Sequence, residues 1–147
     1  MTPTLAGRWQ TRFFLLSSVG LIITLAFGLL YRNFLTPLAL LGYVLLVGFG
    51  CDVAYNYLQT LRWDRDWPPL FFALGGLAEA LLLWGLVKAT FLWQLFGRSS
   101  PPGVDPGLTV AQFAAHYSTV WFVTFLIMLG PLKILFVKWR FRGGQWW

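Results

Sequence analysis

A chain of 147 residues has room for one compact unit. Its apolar share of 58% and charged share of 11% depart from the roughly 45–50% and 25% of soluble domains, and its mean hydropathy is +0.67. Too few polar groups exist to coat a water-soluble globule, and a chain this apolar does not stay disordered, so the lipid bilayer is the solvent that suits it.

The net charge of +6 does not point to nucleic acid, because the 11 basic residues are scattered between apolar runs. The single cysteine, Cys51, excludes an internal disulfide and a zinc cluster of thiolates, and the single histidine, His116, excludes a multi-histidine metal site.

Crossing a hydrocarbon core takes about 20 apolar residues. The first qualifying run is 13–31, framed by Arg12 and Arg32 and free of charge. It is too long for a cleavable leader and no A-x-A-like site follows it. A link of about five residues makes it a hairpin with the second run, 37–58, which carries Asp52. An inner loop follows, with Arg62, Trp63, Asp64, Arg65, Asp66 and Trp67 alternating in charge between two indoles. The third run, 70–93, opens after Pro68 and Pro69 and carries Glu79 and Lys88. Proline suits a helix start, where its missing N–H is no loss.

The long loop 97–116 is rich in Pro, Gly and Ser and is expected to be irregular. Thr109 and Gln112 fit a capping box, so a helix over 109–116 either lies on the surface or continues into the fourth run; both remain open. That run, 117–137, carries Lys133 and is expected to kink at Gly130–Pro131. Continuous apolar runs make these spans helices rather than barrel strands. The expected fold is all-α: one integral membrane domain over 1–147, a four-transmembrane-helix bundle. With both termini cytoplasmic, eight of the basic residues lie inside and Arg32, Lys88 and Arg98 outside. On this frame Trp121 falls near the outer interface, and Lys88 snorkels to it.

Charges inside a span are costly and face the bundle interior. At 1.5 Å per residue Asp52 and Lys133 lie at similar heights, which suits a pair, while Glu79 lies near the midplane with no equally deep cation. Asp52 shares a face with Gly48 and Asn56, and Glu79 with Gly75 and Gly76. The expected interior cluster is therefore Asp52, Asn56, Glu79 and Lys133. Gly20, Thr24 and Gly28 form a small-residue ladder on which another helix can pack closely.

No P-loop, G-x-S-x-G or H-E-x-x-H motif is present, so no enzymatic role is expected. No cofactor is expected either: His116 reads as an interfacial residue, with ligation of a pigment or haem as the alternative. Two functions are weighed. One is a non-enzymatic accessory, assembly or scaffold subunit, whose inner loop contacts headgroups or a partner and whose partners are the bilayer and a membrane protein or a second copy. The other is a small proton- or cation-coupled transporter or channel subunit using Glu79 and Asp52. Four helices with one deep glutamate match the general plan of the small multidrug transporters, but that family carries its glutamate in the first span, which here reads as uncharged. The expected location is a bacterial inner membrane, with a thylakoid-type membrane as the alternative.

Overall fold

The computed structural model describes residues 3–146, and among them all regular structure is helical. The first helical rod runs from Leu5 to Leu30 as α1 (Leu5–Leu15), a π-helical turn (Leu16–Gly20) and α2 (Leu21–Leu30). Thr4 caps its start by accepting from the Gly7 amide. Within the turn Ser18 donates back to the Phe14 carbonyl at 2.6 Å, a bond that bends helices. A short link leads into α3 (Leu35–Thr60), and Pro69 opens α4 (Pro69–Lys88). The chain breaks at Ala89 (ψ 64°), so the expected third run ends early and Trp93 sits in a separate short helix, α5 (Thr90–Gln94).

The capping box at Thr109 and Gln112 is formed, and α6 (Val110–Leu129) runs from it without interruption. Residues 109–116 thus belong to the fourth rod. Pro131 breaks that rod at Gly130, giving α7 (Pro131–Leu135) and, beyond a second bend at Phe136, α8 (Val137–Phe141). The four rods, Leu5–Leu30, Leu35–Thr60, Pro69–Lys88 and Val110–Leu135, are each long and apolar enough to cross a membrane. Their outward faces carry exposed Leu, Ile and Phe side chains.

The first and last described residues lie at one end of the bundle. Gly143 and Gly144 take positive φ (62° and 89°), which glycine adopts without strain, and turn the tail back across α1. There the Thr4 amide donates to the Gly143 carbonyl at 2.9 Å, Thr11 Oγ1 to the Gly144 carbonyl at 3.1 Å, and the Trp146 amide to Gln10 Oε1 at 2.9 Å. Gly7 is needed for this approach, since a Cβ there would collide with the Gly143 carbonyl.

At the far end the loop after α5 folds down on the bundle. Val104 and Leu108 join Leu40, Val44, Leu83 and Val120 in an apolar core. Trp121, eleven residues into α6, lies about 16 Å along the rod at 1.5 Å per residue. It packs against Gly76 in mid-bundle rather than at the rim where the sequence reading put it.

Candidate functional site

Thr4 starts α1 early enough to bring two arginines inside the first rod. Arg8, Thr11 and Leu15 share the buried face, with Arg12 beside them. Helical spacing of three and four residues makes that one stripe.

Arg12 occupies the centre. Its Nε and Nη2 donate to Asp52 Oδ2 and Oδ1 at 2.8 and 3.0 Å. Its Nη1 and Nη2 donate to Glu79 Oε2 and Oε1, both at 2.8 Å. One planar guanidinium thus holds a carboxylate on each of two edges, a geometry that the single point charge of lysine cannot reproduce. Both acids are buried, and this ionic knot ties α1, α3 and α4 together.

Glycines make room for it. A Cβ on Gly48, one turn before Asp52, would collide with the Arg12 guanidinium. A Cβ on Gly76 would collide with the Trp121 indole, and one on Gly75 would lie 3.2 Å from the Tyr55 ring. Tyr55 donates to the Gly75 carbonyl at 3.0 Å and Tyr117 to the Gly76 carbonyl at 2.7 Å. The small-residue faces read from the sequence are therefore filled from within the chain. The ladder behaves alike: Gly20 faces Leu41, Gly28 faces the Phe34 ring, and the fully buried Thr24 meets His116 at 3.0 Å.

The expected interior cluster is corrected in three respects. Asp52 pairs with Arg12 and not with Lys133, which forms no ion pair among the described residues. Glu79 does have a cation at its depth, because the first rod is charged. Asn56 contributes no side-chain hydrogen bond to the knot. His116 is also relocated: it is 1% exposed, set edge-on to Phe27 inside the bundle, not at an interface. Lys88 donates to the Leu108 carbonyl at 2.8 Å and lies 4.9 Å from the centre of the Trp84 ring.

The loop after α3 divides in two. Trp67 is buried, beneath an Arg8 guanidinium 4.6 Å from its ring centre. Arg8 also donates to Gln59 Oε1 at 2.8 Å, and Gln59 in turn to the Arg65 carbonyl at 2.7 Å. Trp63, by contrast, is 96% exposed. Beside it Arg62 forms a two-bond pair with Asp64 (3.1 and 3.0 Å) and lies over the Phe71 ring. The Arg62 partner holds the Asp64 carboxyl below its ordinary range. Asp66 is engaged as well.

Between α1, α4 and the lower half of the fourth rod lies a cavity of about 200 Å³. The knot forms part of its wall, Lys133 and Trp67 another part, and Trp121, Phe125 and Met128 an apolar side. Arg12 borders the apolar run 13–31 and so has the sequence appearance of a flanking charge. The signal that marks it is the Thr4 cap followed by the 8–11/12–15 spacing. No family model, no curated protein and no solved structure matches the chain.

Proposed function

We propose that the chain is a non-enzymatic accessory or scaffold subunit of a membrane complex, embedded through its four rods with both termini in the cytoplasm. The observation that carries this reading is Trp63. An indole left 96% exposed on a loop, beside a clasped Arg62–Asp64 pair, has the composition of an interface hot spot. The same loop also suits the headgroup layer, where indoles and arginines gather. The basic excess at the termini end supports the cytoplasmic assignment, and a bacterial inner membrane is the location we favour.

Trp67 is a packing residue here, so partner contact falls to Arg62 and Trp63. Purification of the tagged chain in mild detergent, followed by mass spectrometry, tests this. A stoichiometric partner should be retained by the native chain and lost on Trp63→Ala with Arg62→Ala. A homo-oligomer with no partner, or a partner indifferent to both changes, would sink the reading.

One observation favours the transport reading. Two buried carboxyl groups, Asp52 and Glu79, share the single guanidinium of Arg12 at the wall of the cavity. Proton- or cation-driven flux in vesicles that Glu79→Gln abolishes would displace the subunit role.

A further inference from the structure

The wall of the cavity is unequal in its hydrogen-bonding needs. All four carboxylate oxygens of Asp52 and Glu79 already accept from Arg12, and Asp66 is engaged too. What is left over donates. Arg8 and Trp67 are each 6% exposed, and each has a buried N–H with no partner, at Nε and Nε1 respectively. Both border the cavity, as does Lys133, whose ammonium carries only donors and forms no ion pair among the described residues. A buried N–H without an acceptor costs on the order of a full hydrogen bond, and two beside one void call for an acceptor that fills it.

The opposite side of the cavity is apolar, with Leu15 and Leu16 from the first rod and Phe125, Met128 and Leu129 from the fourth. The fourth rod packs on α2, the π-helical turn and α4, and it meets α1 at Leu15, which shares an apolar cluster with Leu132 and Met128 next to the break at Gly130–Pro131.

We propose that this cavity binds an amphiphile with an anionic oxygen head, phosphate or carboxylate. The head is seated by Arg8, Trp67 and Lys133, and the chain lies on the apolar side formed by Leu15, Leu16, Phe125, Met128 and Leu129. The assignment needs the bilayer location but not the subunit role. It is therefore separable from the function proposed above, because loss of the partner on Trp63→Ala bears only on that function.

Native mass spectrometry of the full chain in detergent, titrated with defined lipids, tests it. Phosphatidylglycerol or oleate should bind at least ten-fold more tightly than phosphatidylcholine of the same chain length. Lys133→Gln should weaken that binding several-fold, and Trp67→Phe, which keeps the ring and removes the N–H, should weaken it too. Lys138→Gln, outside the cavity, should not. Should Arg8→Gln fail to fold, the other two substitutions still decide. Equal affinity for the zwitterionic lipid, or no response to Lys133→Gln and Trp67→Phe, overturns the proposal. So does inorganic phosphate binding as tightly as phosphatidylglycerol, which would give the site to a soluble anion.

Discussion

At the termini end, the rods meet through Arg12, Asp52 and Glu79, with Arg8, Gln59 and Thr11 bonded around them. At the far end they meet through Leu40, Leu83, Val104 and Val120, with only single, separate polar contacts such as Thr24 to His116, Tyr31 to the Gln112 carbonyl and Lys88 to the Leu108 carbonyl. The first kind of contact is directional: four hydrogen bonds from one guanidinium fix the relative height and rotation of three helices. The second is tolerant, since apolar side chains of similar volume can be exchanged. Apolar surface gains little by leaving lipid for another apolar surface, so polar bonds and close backbone approach are what specify packing in a bilayer. The knot sets register at one end, and packed volume fills the other.

The sharpest way to break this contrast is Arg12→Ala. Two buried carboxylates would lose their shared partner, at a cost of about 3–5 kcal/mol, read as a large fall in the thermal midpoint in detergent. Arg12→Lys should recover only part of that loss. Exchanging all three knot residues for apolar ones of similar size should recover much of the midpoint while loosening the register, visible as broadened cross-linking between α1 and α4. A full loss in that triple variant would mean that the knot supplies stability rather than register.

Next comes Gly48→Ala. The added methyl displaces the guanidinium from its cradle, for about 1–3 kcal/mol by the same measurement. No change there would show that the cradle is loose. In the far half, Thr24→Val removes one hydrogen bond to His116 at nearly constant shape and should cost about 1 kcal/mol. A loss as great as that of Arg12→Ala would erase the distinction between the ends.

The smallest effect is expected at the exposed Arg62–Asp64 pair. Its Asp64 carboxyl is held below the ordinary range, so whatever the pair contributes is present above that range and fades as the pH falls through it. Solvent and salt screen a pair so exposed, and Asp64→Asn should leave the thermal midpoint where it was at neutral pH.

The four rods were legible because an apolar run of sufficient length has one stable form in hydrocarbon. The capping box at Thr109 and Gln112 was legible too, though not that the helix continues through 117. The knot was not. Arg12 borders an apolar run, and charge at a border reads as an anchor, while Thr4 eight residues earlier says that the helix has already begun. Without Arg12 inside, Asp52 had only Lys133 at its height. Pair formation depends on rotation as well as height, and the break at Gly130–Pro131 alters both for Lys133. The positions of Trp67 and Trp63 could not be separated either, because an indole near a membrane surface suits either side of a loop.

Arg12 precedes Asp52 by 40 positions and Glu79 by 67. In the order of synthesis the helix that carries Arg12 is thus made before either of its acids. The knot can therefore close only in a chain that already contains all three helices, and Arg12 has neither of its acids for a partner in any chain that stops short of α3.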